Sequence, residues 1–405
     1  MNSLPRPTAA VNRTGASGPT GRASGNGGKI PLRVLVVDDS ALFRQTVTTV
    51  LASLESVEPV GIARDGIEAI EQIKAHTPDV VTLDVEMPNR DGIETLREIA
   101  KQGLSVRTIM LSSLTEAGAK VTMEALFEGA FDFIAKPTTG LMAGRSELAQ
   151  QLGEKLDAVR LRLCRQKMSG LRRGTPAPME ASDSSTAKAR VRSRVSTTKN
   201  CDAILIGTST GGPQALRHVL SRVVDDADLA ASYPPIIVVQ HMPPHYTTTM
   251  ARRLNEMTPL QVCEASDGEP LRPGHVYVAA GGLQSTVHAD ARGLTMRVRS
   301  GPPRNGCCPS VDTTLESLAT AVEGRALAII LTGMGHDGLA GCKRLSSAGG
   351  TVFAQDEETS AVFGMPKAVI EAGLAERILP LGKVAPAINR HLKTSPPNET
   401  SRPGN

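Results

Sequence analysis

The stretch AILIGTSTGG, residues 203–212, decides the fold of the second half of the chain. Its apolar run predicts a buried strand that ends at Gly207, and Pro213 followed by QALRHVLSRV predicts a helix with proline at its first position. Ser209 therefore lies in a turn between a strand and a helix. Such a turn can bind an anion through free helix N–H groups, or it can present a nucleophilic serine in the pattern G-x-S-x-G. The stretch by itself does not choose between these two uses.

The same unit of strand, turn and helix recurs along the chain. Between residues 31 and 150 the sequence predicts five strand-helix units, the pattern of a doubly wound, flavodoxin-like parallel sheet. Between residues 200 and 394, strands such as IIVVQ, ALAIILTG and TVFAQ alternate with helical segments. We therefore expect an α/β fold in two domains, the second also with a mostly parallel sheet.

The remaining segments lack apolar periodicity. Residues 165–199 are basic and rich in small polar residues, so they predict a flexible interdomain linker. Residues 1–30 and 395–405 are rich in Gly, Ser, Thr, Pro and Asn and contain too little apolar surface to order themselves. We expect both to be disordered tails.

The composition limits the classes of function. The chain has 405 residues, a formal net charge of +4 and no tryptophan, which argues against a nucleic-acid surface built on stacked aromatic side chains. Its six cysteines have no C-x-x-C spacing, so we expect reduced thiols. No apolar segment reaches the roughly 18 residues that span a bilayer. These features predict a cytoplasmic protein that is not inserted in a membrane.

Acidic residues follow two strands of the first domain. Asp38 and Asp39 end the first strand, Asp84 ends the third, and Lys136 lies just past the fifth. Each of these residues alone is better explained as a cap or a turn former. Together they fall at the carboxyl edge of the sheet, where open α/β folds bind ligands, and clustered carboxylates with a phosphate are typical of Mg²⁺ sites. The cluster therefore predicts a phosphate site with a metal ion.

The segments VVDDSALFRQ, TLDVEMPNRDG, MLSS and FIAKP resemble a response-regulator receiver domain. The resemblance implies that the carboxylate of Asp84 accepts a phosphoryl group from a histidine kinase. It also implies that Asp38, Asp39 and Asp84 hold Mg²⁺ with help from the backbone carbonyl of Glu86. The residues implied to respond to the phosphoryl group are Ser112, Phe133 and Lys136.

A serine is a nucleophile only when a base takes its proton and a third group orients that base. His241 follows the strand IIVVQ and Asp337 follows ALAIILTG, so both leave the sheet at the edge that carries Ser209. His245 and His336 lie nearby and are alternatives, but His241 comes directly off its strand. The order Ser, His, Asp differs from that of α/β-hydrolases, and a lone G-x-S-x-G pattern is a weak signal.

The segments IGTSTGGPQALRHVL, IVVQHMPPHYT, DGEPLRPGHVYVA, PSVD, ILTGMGHDG and VFGMPKAV together resemble the catalytic domain of chemotaxis protein-glutamate methylesterases. The resemblance extends from about residue 31 to 393, because a receiver and a linker precede that domain in the family. It implies that Ser209 is the nucleophile, His241 the general base and acid, and Asp337 the residue that orients the imidazole. The implied oxyanion-hole donors are the backbone N–H groups of Thr210 and Met334.

The implied protein is a phosphorylation-activated serine esterase. It would hydrolyse glutamate methyl esters on chemoreceptors and deamidate receptor glutamines, with Mg²⁺ needed for phosphorylation and no cofactor for the esterase step. Its expected partners are chemoreceptors and a chemotaxis histidine kinase, and we expect a monomer that is peripheral to receptor arrays. The family's basic or histidine pair before PSVD is replaced by Cys307 and Cys308, and Ala280 replaces a common proline. The two thiols are either small buried apolar groups or oxidation-sensitive ones.

Two other classes of function stay open from sequence. One is a response regulator whose output domain binds a partner or DNA, although the output half has no helix-turn-helix pattern and no basic stripe. The other is a nucleotide-binding domain that uses TSTGG as an anion loop, which stabilisation by nucleotide would reveal.

Overall fold

The computed structural model describes residues 31–137, 144–172, 201–224 and 230–393, with backbone only for 166–172. The predicted tails, residues 1–30 and 395–405, and the part of the predicted linker from 173 to 199 lie outside the described residues. No statement on their structure follows.

The first domain is a five-stranded parallel sheet in the order β2-β1-β3-β4-β5. Its strands are β1 (Leu32–Val37), β2 (Val57–Ala63), β3 (Val80–Asp84), β4 (Arg107–Ser112) and β5 (Asp132–Ala135). Its helices are α1 (Ala41–Ser53), α2 (Gly66–His76), α3 (Gly92–Lys101), α4 (Glu116–Glu128) and α5 (Arg145–Arg172). The predicted flavodoxin-like fold is confirmed, and the strand order puts β1 directly beside β3 at the acidic edge.

The helix α5 is longer than the sequence predicts. It continues through Arg172, past residue 165, where the sequence places the start of the linker. Leu152, Leu156 and Val159 are buried in the cluster that contains Leu51 of α1. Residues 165–172 (RQKMSGLR) extend the helix because most of them are strong helix formers, even though they lack apolar periodicity.

The second domain has a seven-stranded sheet in the order β14-β13-β12-β6-β7-β9-β8, and all its neighbouring strands are parallel. Its strands are β6 (Ala203–Thr208), β7 (Ile236–Gln240), β8 (Gln261–Glu264), β9 (His275–Val278), β12 (Ala326–Ile330), β13 (Thr351–Gln355) and β14 (Arg377–Leu379). Its helices are α6 (Gly212–Val223), α7 (Tyr246–Asn255), α8 (Val311–Ala321), α9 (Leu339–Ser347), α10 (Met365–Glu371) and α11 (Leu381–Lys393). The central strand β6 is buried on both faces, as in other parallel sheets covered by helices.

One predicted strand lies outside this sheet. LTMRV belongs to β11 (Gly293–Arg299), which pairs with β10 (Gln284–Asp290) in a separate antiparallel hairpin. Its buried and exposed positions alternate, because one face packs on the domain and the other faces solvent. The sequence does not predict β8 and β14, because β8 has one buried position in four and β14 has none in three, so neither is a continuous apolar run.

The two domains pack against each other. Phe133 of β5 stacks on Tyr246 of α7 with ring centroids 4.4 Å apart, and both belong to one hydrophobic cluster shared by the domains. The side chain of Gln214 on α6 donates hydrogen bonds to the carbonyls of Leu126 and Ala130. The α4–β5 side of the first domain therefore covers the end of the second sheet where α6 and α7 begin. We call this contact the interdomain face.

Candidate active site

Ser209 and His241 follow two neighbouring strands that are held in register. Thr208 of β6 lies opposite Gln240 of β7, and the backbone N–H of His241 donates to the carbonyl of Thr208 at 3.2 Å. The side-chain amide of Gln240 also donates to the carbonyl of Ser209 at 3.0 Å. The serine and the histidine thus emerge side by side at the carboxyl edge of the sheet.

The turn after β6 is tight and closely packed. Gly211 has a φ of 78°, and a Cβ there would lie 2.5 Å from the Cβ of Ala361, so only glycine fits. Gly211 is thus the residue of this turn that has the left-handed backbone conformation. The N–H of Ser209 donates to the carbonyl of Thr332 at 3.0 Å, which fixes the serine against the strand end of β12.

Asp337 lies in the loop after β12, on the other side of β6 from β7. Its Oδ2 lies 2.8 Å from Nε2 of His241. Because a carboxylate only accepts hydrogen bonds, this contact assigns the proton to Nε2 and leaves the lone pair of neutral imidazole on Nδ1. Nδ1 is therefore the nitrogen available to act as a base.

The carboxylate of Asp337 is buried and surrounded by donors at the start of α8. They are the amide of Asn305 at 3.2 Å, the hydroxyl of Ser310 at 2.9 Å and the backbone N–H groups of Val311 at 2.7 Å and Asp312 at 3.1 Å. Burial raises the pKa of Asp337, but His241 and these donors outweigh it and lower the pKa to about 2. Asp337 therefore stays ionised wherever the protein is folded near neutrality.

His241 is held in a nearly closed environment. Burial lowers the pKa of its imidazole, but the hydrogen bonds with Asp337 and Cys307 outweigh burial and raise the pKa to about 9. The Sγ of Cys307 lies 3.5 Å from Nδ1. The cysteine that departs from the family pattern thus contacts the nitrogen that a serine nucleophile needs.

Thr210 follows Ser209 in the chain, and Met334 follows Gly333, which packs against Ser209. Thr210 is buried, and its hydroxyl donates to Asp132 of the first domain at 2.6 Å. A Cβ at Gly333 would lie 2.9 Å from the Cβ of Ser209, so the segment that contains Met334 runs along the serine. The two other histidines considered, His245 and His336, are exposed and lie outside the contacts of Asp337.

The acidic cluster of the first domain also assembles. Nζ of Lys136 lies 2.8 Å from Oδ2 of Asp38 and 2.8 Å from Oδ2 of Asp84. Carboxylate oxygens of Asp38, Asp39 and Asp84 lie within 4.8 Å of one another. Burial, and then the neighbouring charge of Asp38, raise the pKa of Asp84 to about 6 in spite of Lys136. Three hard oxygen donors with more negative charge than one lysine neutralises fit a divalent cation such as Mg²⁺.

The other predicted receiver residues surround this cluster or the interdomain face. Glu86 is exposed just past β3. Ser112 ends β4 and is fully buried, and its hydroxyl accepts hydrogen bonds from Thr122 at 2.6 Å and from Tyr246 at 3.1 Å. Phe133 is the ring that stacks on Tyr246. A hydroxyl at the acidic site and the aromatic position are therefore both in contact with the second domain.

Comparison with known proteins gives a consistent result for both halves. A family model of the CheB methylesterase matches residues 204–388, and a model of the response regulator receiver domain matches residues 34–142. A protein-glutamate methylesterase/protein-glutamine glutaminase from a Nocardioides species is 42% identical over 369 residues, which cover 91% of this chain and 97% of that protein. The chain belongs to the CheB methylesterase family.

Other CheB methylesterases agree. A Thermotoga maritima protein with the same name is 40% identical over 354 residues, covering 87% of this chain and 96% of that protein. The crystal structure of the Thermotoga maritima CheB methylesterase catalytic domain is 39% identical, covers 47% of this chain and 98% of that chain, and superposes with a TM-score of 0.45. The predictions of a receiver domain and of a protein-glutamate methylesterase with glutaminase activity are confirmed by the two family models and the two sequence relatives. Among the helices that the structure describes, none has the length and apolar content to cross a bilayer.

Some residues of this CheB methylesterase site were not predicted. Asn305 and Ser310 bind Asp337, while Asp132 and Tyr246 reach across the interdomain face. The PSVD segment carries the one usable signal, because its serine followed by a helical segment is typical of a helix N-cap. The others depend on contacts between residues distant in sequence.

Proposed function

We propose that this CheB methylesterase hydrolyses glutamate γ-methyl esters on chemoreceptors through a Ser-His-Asp mechanism. We also propose that it deamidates receptor glutamines at the same site. The observation that carries the proposal is the 2.8 Å contact between His241 and a buried, ionised Asp337, directly beside the turn that holds Ser209.

The geometry supports a definite path for the proton. Ser209 Oγ attacks the γ-carbonyl carbon of the ester, and its proton moves to Nδ1 of His241, because Nε2 is already bound to Asp337. His241 then gives that proton to the departing methoxide, which leaves as methanol. A water molecule, deprotonated by the same nitrogen, hydrolyses the acyl-enzyme to glutamate. With glutamine as substrate the first leaving group is ammonia.

Asp337 and the backbone supply electrostatic stabilisation. The permanent charge of Asp337 keeps the imidazole oriented and stabilises the imidazolium that forms at each transfer. We assign the backbone N–H groups of Thr210 and Met334 to the tetrahedral oxyanion, since Thr210 follows Ser209 in the chain and Met334 follows Gly333, which packs against Ser209. Fixed donors at this position act in a dry site and need no rearrangement during the reaction.

We propose that the unphosphorylated receiver restrains this site. Asp132 accepts a hydrogen bond from Thr210, the residue next to the nucleophile, and Arg217 of α6 donates to the carbonyl of Phe127 at 2.9 Å. These contacts cover the entrance from the receiver side. A substrate side chain would have to displace them, so opening of the interdomain face is the activating step.

Phosphorylation of Asp84 by a chemotaxis histidine kinase would drive this opening. The residues that would hold Mg²⁺ are Asp38, Asp39, Asp84 and the backbone carbonyl of Glu86. When bound, the ion supplies positive charge to the oxygens of the transferring phosphoryl group. The new phosphoryl group draws the Ser112 hydroxyl and Lys136 toward it, which removes Ser112 from its hydrogen bond with Tyr246. Phe133 moves with this rearrangement and loses its stacking on Tyr246.

The setting follows from the substrate. We propose a cytoplasmic monomer that binds receptor arrays peripherally, since the methyl esters lie on receptor side chains.

The nucleophile can be tested with a matched pair of variants. Methylated receptor membranes are incubated with the wild type, Ser209→Ala and Ser221→Ala, the last an exposed serine on α6. We expect Ser209→Ala to lose at least about 10⁴-fold in methanol release and Ser221→Ala to match the wild type. Activity of Ser209→Ala within tenfold of the wild type would contradict the mechanism.

A further inference from the structure

Cys307 is the residue of the site that the mechanism does not use. Its Sγ lies 3.5 Å from Nδ1 of His241, the nitrogen that must accept the proton of Ser209. The side chain is half-buried and lies beside exposed residues of the same loop, so small solutes can reach it. Nδ1 of neutral imidazole is an acceptor, so it can take the thiol proton when an oxidant reaches the sulfur and leave the thiolate, the reactive state of cysteine.

The loop holds this thiol firmly in place. Arg304 and Cys307 exchange two backbone hydrogen bonds, at 3.0 and 2.9 Å. Both terminal guanidinium nitrogens of Arg304 donate to the carboxylate of Glu316 on α8, at 2.6 and 2.7 Å, and the amide of Gln284 donates to the carbonyl of Cys307 at 3.2 Å. Cys307 is therefore positioned against His241 by a built turn and not by chance contact of a mobile side chain.

Other cysteines lie in surroundings that favour the inert thiol. Burial raises the pKa of Cys263 to about 11 and that of Cys201 to about 12, and it raises the pKa of Cys342 further. Burial also raises the pKa of Cys308, the immediate neighbour of Cys307. Cys308 is thus a natural control, since it shares the loop and the solvent access but has a poorer nucleophile.

We propose that Cys307 is an oxidation site through which hydroperoxides reversibly switch off the esterase. The inference rests on the proposed function only in giving His241 the role of base. The thiolate of Cys307 attacks one oxygen of hydrogen peroxide, the O–O bond breaks, and a sulfenic acid forms while sulfur is oxidised. The other oxygen leaves as hydroxide and takes the proton of the imidazolium as water. The peroxide is the oxidant, and no further reactant is required.

Oxidation would remove the base from the nucleophile. A sulfenic acid carries a hydroxyl on the sulfur that already contacts Nδ1, so it donates a short hydrogen bond to this nitrogen. Nδ1 then no longer accepts the proton of Ser209. Loss of a general base costs about 10²- to 10⁴-fold in rate, so oxidation of Cys307 predicts near-complete inhibition. A thiol reductant returns the sulfenic acid to the thiol and restores the rate.

The activity experiment uses the full-length protein with methylated receptor membranes. The wild type, Cys307→Ser and Cys308→Ser are treated with hydrogen peroxide, and the rate of each is divided by its own untreated rate. We expect the wild type and Cys308→Ser to lose about 100-fold and to recover with dithiothreitol, and Cys307→Ser to keep more than half of its rate. Equal inhibition of all three proteins would overturn the proposal.

A labelling experiment is independent of esterase activity. Dimedone, which traps sulfenic acids, is added with peroxide to the wild type and to His241→Gln, and labelled peptides are identified by mass spectrometry. We expect the label on Cys307 at least tenfold faster in the wild type, because His241 no longer takes the proton in the variant. Labelling of another cysteine first, or equal labelling of Cys307 in both proteins, would refute activation by His241. Failure of the proposed mechanism appears instead as activity in untreated Ser209→Ala.

Discussion

Asp84 and Asp337 are both buried carboxylates at the carboxyl edge of a parallel sheet, yet their pKa values move in opposite directions. The pKa of Asp84 is raised to about 6, because burial and Asp38 outweigh Lys136. The pKa of Asp337 is lowered to about 2, because His241 and the N–H groups at the start of α8 outweigh burial. Burial is the largest single influence on the pKa at both sites. The number of hydrogen-bond donors and positive charges around each carboxylate decides whether its pKa is raised or lowered.

The difference matches what each domain has to do. Asp337 belongs to a site whose charge is already balanced, which suits a residue that orients a base through every turnover. Asp84 belongs to a site with surplus negative charge and one lysine, which suits a residue that waits for a cation and a phosphoryl group. Aspartate thus suits a constant charge in one domain and a switch residue in the other.

The largest expected effect on activity comes from removing the charge of Asp337. Asp337→Asn keeps the shape of the side chain, but its amide no longer forces the His241 proton onto Nε2. We expect kcat/KM for methyl ester hydrolysis to fall by about 10⁴-fold. A steady-state assay with phosphodonor present measures this, and a loss below tenfold would mean that Asp337 does not orient the base.

Removing the charge of Asp84 is expected to change the control of activity but not the catalytic step. Asp84→Asn cannot be phosphorylated, so acetyl phosphate and Mg²⁺ no longer raise the rate of the variant. A coupling of the usual size, about 5- to 150-fold between phosphorylated and unphosphorylated enzyme, is lost. The matched control is Asp79→Asn, which alters an aspartate at the opposite end of β3 and leaves the response intact. A persistent response in Asp84→Asn would place the phosphorylation elsewhere.

The two substitutions also have opposite effects on thermal stability at pH 7. The pKa of Asp84 is above its ordinary 3.8, so its ionisation costs stability above about pH 6, and Asp84→Asn raises the unfolding midpoint. Each kcal/mol shifts the midpoint by about 2–4 °C in domains of roughly 150–250 residues. The pKa of Asp337 is below 3.8, so its charge stabilises above pH 3.8, and Asp337→Asn lowers the midpoint.

The pH dependence separates the two cases further. The gain in Asp84→Asn shrinks as pH falls from 6 and vanishes below about pH 3.8, where Asp84 is protonated in both the folded and the unfolded chain. The loss in Asp337→Asn persists down to pH 3.8 and disappears only as pH approaches about 2. Calorimetry of the full chain across this range measures both, and shifts of the same sign would break the comparison.

The smallest expected effect lies at the contact between the domains. Asp132→Ala removes the acceptor of the Thr210 hydroxyl, and we expect the unphosphorylated rate to rise about fivefold, equivalent to about 1 kcal/mol for one hydrogen bond. Asp202→Ala is the control, because that aspartate pairs with Arg325 within the second domain. An unchanged or lower rate in Asp132→Ala would mean that this contact does not restrain the enzyme.

Much of this architecture can be read from the sequence. The five units of the receiver and the central strands of the second sheet are continuous apolar runs between turn residues, and such runs are the strongest local signals. Ser209, His241 and Asp337 each follow one of these runs, so a correct strand order brings them to one edge. Apolar periodicity alone does not predict the end of α5. Residues with high helix propensity continue this helix to Arg172 although they form no apolar stripe.

The remaining parts arise from tertiary contacts. Asn305 binds a carboxylate 32 residues away, Asp132 binds a threonine 78 residues away, and Tyr246 reaches a serine 134 residues away. No local pattern records which polar side chain meets a distant partner. The opposite pKa shifts of Asp84 and Asp337 likewise depend on donors assembled from separate elements.

The most direct test of phosphorylation-controlled ester hydrolysis is methanol release from methylated receptor membranes by the purified protein, with and without acetyl phosphate and Mg²⁺. We predict slow release from the unphosphorylated enzyme and a rise of about 5- to 150-fold when both reagents are present. Absence of release in both conditions from folded protein would contradict the esterase mechanism, and an equal rate in both would contradict control by the receiver.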